Sequence, residues 1–412
     1  MALQKLLIDW PLTPYTGWGS YGIQLVQALL AGHGARPVLT CRADRSPHCE
    51  PHWLLRLDEV EHYSQGLIDY LRSKPEGVVD TNCRVVLEPL GNQVPPERIR
   101  GTHQVGITFF ERSAVDAKYL AGLDRLKLVI TGSRWNQRVL EEGGYGRAVL
   151  VHQGIDPSRF HPTPVPRLLN RPFVLFAGGK LEARKGQDVV IAAFRNFLRH
   201  CPDALLIACW GNLGNVGLDT IALSHHVQGS PSNGDAVAIH AWLLQQGIPA
   251  RNLMVPTVMA NSQLPGLMKQ ADAAVFTSRC EGGTNLMAME TLACGIPTVL
   301  SANTGHLDLL ELELAHAVAV GEQGLGQVPP AITVGYGGDH GGLWGETDPT
   351  ELVEAWLRLW KDNAEWREHA YRESQRMVTF SWTRSMDQLL SCLVERELLN
   401  PPPAGTVLSG CS

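Results

Sequence analysis

The sequence has no C-x-x-C pair, although nine cysteines are scattered along its 412 residues. An odd number of dispersed cysteines argues against a disulfide framework and against a thiolate zinc site. No apolar run approaches the roughly 20 residues that span a bilayer. The start, MALQKLLIDWPL, has too little positive charge and too short an apolar run for a secretory signal. We therefore expect a cytoplasmic protein that has at most peripheral contact with a membrane.

An excess of basic charge is also absent. Lysine and arginine number 35 against 41 aspartates and glutamates, which gives a formal net charge of −6. Proteins that bind nucleic acid usually carry a basic surface, so this balance gives no indication of a nucleic-acid partner.

What the sequence does contain is an alternation of short β-type runs with helical patterns, which is typical of parallel βαβ units. The strand candidates lie at 6–10, 83–90, 104–110 and 126–133, and then at 173–179, 204–211, 252–258, 273–278 and 297–301. The pattern predicts an α/β fold with two Rossmann-like doubly wound domains facing across a cleft. Ligands of such sheets bind beyond the carboxyl ends of the strands, so the cleft is the expected site.

The proline- and arginine-rich segment HPTPVPRLLNRP (161–172) is typical of an exposed linker. The predicted divisions are an N-terminal domain at 1–165, a C-terminal domain at 166–375, a helix at 376–398 that returns to the N-terminal domain, and a disordered tail at 399–412. The Gly-rich segments 211–234 and 321–346 are predicted as loops.

The first candidate ligand loop is PYTGWGSYG (14–22), between a strand and a helix. Its glycines, including Gly17 and Gly19, would let the backbone approach a ligand at a helix N-terminus. The spacing is not G-x-G-x-x-G, and no acidic residue ends the next strand, so a dinucleotide site is disfavoured. A tight turn without a ligand is an equally good interpretation.

The second candidate is FAGGKLEARKGQD (176–188), where Lys180 follows Gly179 at a strand end and Lys185 precedes a helix. Two cations in front of a helix N-terminus suit the oxygens of a diphosphate. Taken alone, two solvated surface lysines would be the commoner explanation.

The third candidate is RCEGGTNLMAMETLACGIPTV (279–299), which contains two glutamates. Glu281 is predicted at a strand end and Glu290 on the helix that follows. A carboxylate accepts two hydrogen bonds from a vicinal diol, and the N–H groups at the helix start can hold phosphate oxygens. The apolar neighbours of Glu290 indicate that it is buried. Burial of a carboxylate is costly, so we expect a functional reason for it.

In this order the motifs resemble those of retaining glycosyltransferases of the family-4 type, which have the GT-B fold. GWGSYGIQLVQALLAGHG resembles their first Gly-rich turn, GKLEARKG their G-R-L-x-x-x-K-G loop, and EGGTNLMAMETLACGIPTV their E-G-F-G-L-x-x-x-E-A-M-A-C-G-x-P-V signature. Further similarities lie at 129–140, 151–162, 303–310 and 380–390. The resemblance covers almost the whole chain.

The resemblance implies retaining transfer of a hexose from a nucleotide diphosphate sugar, with no cofactor, and the lack of an Asp-x-Asp pair predicts that the transfer needs no metal. Lys180 and Lys185 would hold the diphosphate, Glu290 the ribose, and Glu281 hydroxyls of the transferred sugar. Other donor-binding positions are expected at Gly17, Gly19, Gly179, Gly282, Gly283, Thr284, Asn285, Thr257 and Val258, the last two beside the nucleobase. The sequence has no Asp-x-Asp pair, the metal-holding motif of some glycosyltransferases.

Two departures from the family pattern affect the site. Glu281 and Glu290 stand one residue farther apart than the family's usual pair. Where many relatives have a histidine in the first domain, ITFFERS offers Phe109, Phe110 and Glu111. Either Glu111 takes over part of that polar role or the site uses another group.

Other functions remain open at this point: a nucleotide-sugar epimerase of the same fold, or a non-catalytic protein that binds nucleotide sugars. The acceptor, a sugar, a lipid or another small molecule, is expected to contact first-domain loops at 41–80 and 88–103.

Overall fold

Two parallel sheets organise the chain. The structure, a computed structural model, describes residues 3–32, 34–45, 51–326 and 343–402, together with Val328 and Ile332. The strands of the first half are β1 (Gln4–Ile8), β2 (Ala35–Leu39), β3 (Val79–Asp80), β4 (Val85–Leu90), β5 (Ile99–Arg100), β6 (His103–Thr108), β7 (Leu128–Thr131) and β8 (Ala148–Leu150). Those of the second half are β9 (Val174–Lys180), β10 (Leu205–Gly211), β11 (Leu253–Met254), β12 (Ala273–Phe276), β13 (Thr298–Ser301) and β14 (Ala317–Val320).

Helices connect most of these strands. They are α1 (Gly17–Leu30), α2 (Pro51–Ser73), α3 (Ala117–Leu123), α4 (Arg134–Glu142), α5 (Gln187–Phe197), α6 (Ala236–Gln245), α7 (Leu264–Met268), α8 (Leu286–Ala293), α9 (Leu307–Leu310), α10 (Pro349–Lys361), α11 (Asn363–Glu373) and α12 (Trp382–Glu395). Within the described ranges, no helix is both long enough and apolar enough to cross a membrane.

The strand order confirms the predicted α/β class with two doubly wound sheets. The first sheet runs β2-β1-β4-β6-β7-β8 and the second β11-β10-β9-β12-β13-β14, and every paired strand is parallel. The order reverses between β1 and β4 in the first sheet and between β9 and β12 in the second. In sheets of this kind, ligands bind in the crevice at the point of reversal.

Each sheet has its own buried core, and the last helix belongs to the first one. Leu389 and Leu393 of α12 pack with Leu25 and Leu29 of α1. The start of α12 lies beside Ile155, in the segment by which the chain leaves the first sheet. The Ile155 N–H donates to Phe380 O and the Trp382 N–H donates to Ile155 O. The side chain of Leu399 is also buried in this core, whereas residues 403–412 of the predicted tail lie outside the described residues.

Three local predictions differ from the structure. The segment 41–80 is not a loop throughout, because α2 occupies most of it and buries Trp53, Leu57 and Val60 at helical spacing. The strand predicted at 252–258 has only two residues, since Pro256 cannot donate a ladder hydrogen bond. The segment 211–234 contains short 3-10 turns at Leu213–Asn215 and Leu218–Leu223. Most of the loop predicted at 321–346 lies outside the described residues.

Candidate functional site

The point of reversal in the second sheet gathers the charged residues that the sequence singled out. Strand β9 ends at Lys180 and leads through a 3-10 turn, Ala183–Lys185, into α5. The neighbouring strand β12 leads through the turn that contains Glu281 into α8. Because β9 and β12 pair in parallel, both turns leave the same edge of the sheet.

The carboxylate of Glu281 is already occupied by protein donors. It is 5 % exposed. Its Oε1 accepts from Lys185 Nζ at 2.6 Å and from Asn285 Nδ2 at 3.1 Å, and also from the Ser278 hydroxyl. Burial raises the pKa of Glu281, but the charges of Lys185 and Arg184 outweigh it and lower the pKa to about 2. Glu281 is therefore ionised and buried, and its Oε2 also accepts from Lys185 Nζ, at 2.9 Å.

The basic groups beside it share one partner, because both Lys180 and Arg184 form an ion pair with Glu182. Lys180 lies 2.8 Å from Glu182, and its side chain is 40 % exposed. Arg184, which the sequence analysis did not single out, is buried and donates to Cys280 O at 2.6 Å. Arg184 also lies 3.5 Å from Glu111 and 3.5 Å from Glu281, so the structure brings Glu111 of the first domain to this site. In the sequence, the only indication that Arg184 belongs to this site is its position between the two lysines.

A fully buried arginine supports both turns from behind. Arg279 is 1 % exposed and binds Asp188 of α5 with both terminal nitrogens, at 2.7 and 2.6 Å. Its Nε lies 2.9 Å from Glu346. Burial raises the pKa of Asp188, but the Arg279 charge and hydrogen bonds outweigh it and the pKa is lowered. This pair ties the segment that carries Glu281 to the helix that follows Lys185. Sequence reasoning missed it, because the two partners are far apart in the chain.

The start of α8 is held in an uncommon backbone conformation. Asn285 has φ 63° and its amide oxygen accepts from the Ala288 N–H, while its Nδ2 donates to Glu281 and lies 3.2 Å from His306 Nε2. Burial lowers the pKa of His306 to about 4, so its ring is neutral at neutral pH. His306 Nδ1 lies 3.2 Å from Ser301 O, which assigns the proton to Nδ1 and leaves Nε2 to accept from Asn285. The conformation of Asn285 is thus fixed from two sides.

The Gly-Gly turn lies directly against the first domain. A Cβ atom on Gly282 would be 2.1 Å from Phe109 O, and one on Gly283 would be 2.6 Å from Gln153 Oε1. Ser133 Oγ donates to Gly282 O at 2.7 Å. The side chain of Thr284 is buried and its hydroxyl contacts Met289 Sδ at 2.9 Å. The turn therefore contacts the first domain through Gly282 and Gly283, whereas Thr284 packs within the second domain.

Glu290 is buried and only partly satisfied. It is 3 % exposed, its Oε1 accepts from Asn261 Nδ2 at 2.5 Å, and its Oε2 has no hydrogen-bond partner among the described residues. Burial raises its pKa to about 8, although the Asn261 hydrogen bond opposes the shift. A buried polar atom without a partner is uncommon and needs an explanation. A hydroxyl donor supplied by a ligand would satisfy it.

The glycines of the two Gly-rich turns have different surroundings. A Cβ on Gly17 would contact Leu286 at the start of α8, whereas one on Gly19 would lie 2.2 Å from Thr13 O within its own loop. The Gly19 N–H donates to Thr16 Oγ1, the N-cap of α1. Gly179 has φ 124° and open space beside it. Gly17 and Gly179 therefore lie where a ligand could approach, and Gly19 has a packing role.

The segment after β11 is exposed. Thr257 and Val258 are both exposed, Val258 at 41 %. Among the described residues, no group of three or more histidine, cysteine, aspartate or glutamate side chains is arranged to hold a metal ion.

Comparison with known sequences identifies the region that contains this site. Residues 164–320 match the profile of the family described as "Glycosyl transferases group 1". The matched residues include Lys180, Lys185, Glu281 and Glu290. No curated protein matches the sequence significantly.

Solved structures of glycosyltransferases resemble the whole chain. Sucrose-phosphate synthase from Thermosynechococcus elongatus is 17 % identical, over 95 % of this chain and 98 % of that one, with a TM-score of 0.60. HepE from Anabaena in complex with UDP-glucose is 14 % identical, over 95 % and 100 %, also with a TM-score of 0.60. WaaG, a glycosyltransferase involved in lipopolysaccharide biosynthesis, is 12 % identical, over 94 % and 99 %, with a TM-score of 0.54. At these identities the likeness concerns the fold, and it confirms the predicted GT-B architecture.

Proposed function

We propose that this protein is a retaining glycosyltransferase that moves a hexose from a nucleotide diphosphate sugar to an acceptor hydroxyl. The observation that carries the proposal is the partly satisfied Glu290, which is buried on α8 within the region that matches group 1 glycosyltransferases. The cationic turn that follows β9 lies at the reversal point of the same sheet. The carboxylate suits a diol, and the cationic turn suits a diphosphate. Nucleotide sugars contain both.

In this proposal each charged residue has a defined task. Lys180 and Lys185 bind the diphosphate and stabilise the charge that grows on it as the sugar departs. The free Oε2 of Glu290 accepts from a ribose hydroxyl. Glu281 holds the Lys185 ammonium in place and lies next to the transferred sugar.

The remaining proposed contacts surround this centre. The base lies beside Thr257 and Val258, and Glu111 reaches the site from the first domain through Arg184. The acceptor, a sugar, a lipid or another small molecule, approaches from the first domain, on the face from which the diphosphate leaves.

Ligand-dependent stability followed by a transfer assay tests this proposal. UDP and UDP-glucose are the first probes, because the similar HepE structure contains UDP-glucose. A ligand at 100 times its dissociation constant raises the free energy of unfolding by about 2.7 kcal/mol. We expect such stabilisation by at least one nucleotide sugar from a panel with different bases, and transfer with retained anomeric configuration by NMR. Stabilisation by none of the panel would refute the proposal, and an epimerised donor without transfer would favour an epimerase.

Activity is expected to survive metal chelation. The sequence has no Asp-x-Asp pair, and the charges of Lys180 and Lys185 can replace a divalent cation at the diphosphate. The measurement is the initial rate of transfer with and without EDTA. Loss of the rate in EDTA and its recovery with Mn²⁺ or Mg²⁺ would contradict this expectation.

The affinity for UDP-glucose is expected to rise with pH up to about 8. The free protein holds a proton on Glu290 below its pKa of about 8, and ribose hydroxyls donate to the ionised carboxylate. Binding then requires proton release, so the affinity should change about tenfold for each pH unit below 8. Because the pKa is raised in the folded state, the unliganded protein should also lose stability as the pH rises from 4.5 towards 8.

Calorimetric titration of the wild type and Glu290→Gln at several pH values provides the measurement. The glutamine side chain cannot titrate, so the affinity of the variant for UDP-glucose should be independent of pH. At pH 8 its binding free energy should be less favourable than that of the wild type by roughly 1 to 3 kcal/mol. Exposed Glu142→Gln is the matched control and should behave like the wild type. A wild-type affinity that does not change with pH would show that Glu290 does not bind the ribose as an ionised group.

A further inference from the structure

The turn after β9 contains a buried carboxylate that has no task in the proposed function. Glu182 lies between β9 and the 3-10 turn Ala183–Lys185, and it is 2 % exposed. Its Oε2 lies 2.8 Å from Lys180 Nζ, and its Oε1 accepts from Arg184 Nη2. Burial raises the pKa of Glu182, but the charges of Arg184 and Lys180 outweigh it and the pKa is lowered. An ionised carboxylate is therefore buried on the turn that is proposed to hold an anion.

A loop of the same domain covers this ion pair. Gly217 has φ 76°, and a Cβ atom there would lie 3.1 Å from Glu182 Oε2 and 3.4 Å from Lys180 Nζ. The Ala183 N–H donates to Thr220 Oγ1 at 3.2 Å, which joins the loop to the turn. The Lys180 side chain remains 40 % exposed, whereas the side chain of Glu182 is 3 % exposed. The ammonium group can therefore turn towards a ligand, while the carboxylate is held in place.

The other cations of the turn are also paired with carboxylates. Lys185 Nζ donates to both oxygens of Glu281. Arg184 lies 3.5 Å from Glu111 and 3.5 Å from Glu281. Because each cation already has an anionic partner, the turn attracts a diphosphate less strongly than its cations alone would. Any further negative charge on the ligand is repelled by the Glu182 carboxylate.

The two nucleotides of the proposed reaction differ in charge at the phosphate that leaves the sugar. In a nucleotide sugar this phosphate is esterified and carries one negative charge. In the released nucleoside diphosphate it is terminal, and its second pKa of about 6 means that it carries about two charges at pH 8. Specificity can come from a repulsive element as well as from an attractive one. A fixed carboxylate beside Lys180 therefore disfavours the product more than the donor.

We propose that Glu182 is a specificity-determining residue that discriminates the nucleotide sugar from the free nucleoside diphosphate and thereby promotes release of the product. The inference rests on the proposed glycosyl transfer and adds the discrimination between its donor and its product. Once the sugar has left, the Glu182 carboxylate competes with the terminal phosphate for the Lys180 ammonium. Lys185 pairs with Glu281 instead, so its charge still stabilises the diphosphate during transfer.

Calorimetric titration of the wild type and Glu182→Gln with UDP and UDP-glucose at pH 8, or with the equivalent pair for the base that the panel selects, tests this role. We expect Glu182→Gln to bind UDP more tightly than the wild type does. The ratio of the two dissociation constants should shift by about tenfold in favour of UDP, because one repulsive charge is removed. Both ligands contain the ribose, so the contact with Glu290 cancels in this ratio.

The sign of the change separates this role from a purely structural one. If Glu182 served only to orient Lys180 and Arg184, Glu182→Gln would weaken the binding of both ligands. Glu182→Asp keeps the charge and should keep the ratio of the wild type. Exposed Glu142→Gln removes a carboxylate far from this turn in sequence and is the matched control, with no expected change.

A second measurement needs no variant. The β-methyl ester of UDP has the base, the ribose and the diphosphate of UDP, but its outer phosphate carries one charge, as in a nucleotide sugar. At pH 8 the wild type should bind the ester about threefold more tightly than UDP, although the ester has the lower charge.

The outcomes separate this inference from the proposed function. An equal ratio of the UDP and UDP-glucose dissociation constants in the wild type and Glu182→Gln would overturn the role of Glu182. Tighter binding of UDP than of its methyl ester by the wild type would overturn it too, as would a Glu182→Asp ratio equal to that of Glu182→Gln. Failure of the wild type to bind any nucleotide sugar of the panel would count against the glycosyltransferase proposal instead.

Discussion

Replacing Arg279 by methionine is expected to lower the free energy of unfolding by roughly 3 to 5 kcal/mol, the usual cost of removing one partner of a buried ion pair. Asp188 is fully buried and accepts from both terminal nitrogens of Arg279, so the variant leaves its carboxylate with the Ser224 hydroxyl as the one side-chain donor among the described residues. Urea unfolding of the wild type and the variant at pH 7 gives the difference. A loss below about 1 kcal/mol would contradict the expectation.

The double variant Arg279→Met/Asp188→Leu is the control for this prediction. Removing Asp188 as well takes away its desolvation cost together with the attraction, so the double variant should recover part of the lost stability, although Glu346 still lacks its Arg279 partner. Acidification provides a second check. The pKa of Asp188 is lowered in the wild type, so its contribution is present above the ordinary aspartate pKa of about 3.9 and is lost as the pH falls below it. In Arg279→Met the unpaired carboxyl protonates more readily, so the destabilisation should shrink in acid.

Lys185→Ala is expected to reduce turnover by a factor of roughly 10² to 10³, which corresponds to about 2.7 to 4 kcal/mol in the barrier. The charge on the departing diphosphate increases towards the transition state, so kcat should fall more than donor affinity. The Lys185 side chain is only 16 % exposed, and its charge is therefore less screened than that of Lys180. Lys180→Ala should lower kcat in the same direction by a smaller factor.

Steady-state kinetics with the donor varied separates kcat from KM in these variants. Lys185→Arg keeps the charge and should restore part of the rate, which a purely structural role would not predict. Lys361→Ala removes an exposed lysine at the end of α10 and is the matched control. Near-wild-type kcat in both Lys180→Ala and Lys185→Ala would mean that this turn does not contact the diphosphate.

The sequence was sufficient to predict the fold and the turns that carry the charged residues. Alternating strand and helix patterns repeat along the chain, and each strand is short and apolar, so the class follows from local periodicity. Lys185 and Glu281 stand in motifs with recognisable spacing, and the structure joins them by an ion pair although 96 residues separate them. Lys180, the more exposed of the two candidate lysines, instead forms an ion pair with Glu182 of its own turn.

The rest of the site depends on contacts that local patterns do not contain. Arg279 and Asp188 are each ordinary charged residues in the sequence. They become partners because the segment after β12 lies against the turn before α5, where the Arg279 N–H donates to Arg184 O at 2.7 Å. The neutral state of His306 likewise follows from burial, which depends on the whole domain. Helix α2, in contrast, could have been predicted, because Trp53, Leu57 and Val60 stand at helical spacing in the sequence. It was missed because the long segment that contains it has no strand pattern.

The contact between Gly282 and Phe109 has a consequence for sequence divergence in this protein. Backbone meets backbone there, because a Cβ on Gly282 would lie 2.1 Å from Phe109 O. A methyl group would force the two domains apart by a distance on the order of 1 Å, and a misplacement of that size costs about 10²-fold in rate. Neither domain alone needs glycine at this position in order to fold. Glycine at position 282 should therefore be retained by selection for the correct distance between donor and acceptor. Copies of the chain that lose activity should be free to accept alanine or serine there while both domains remain folded.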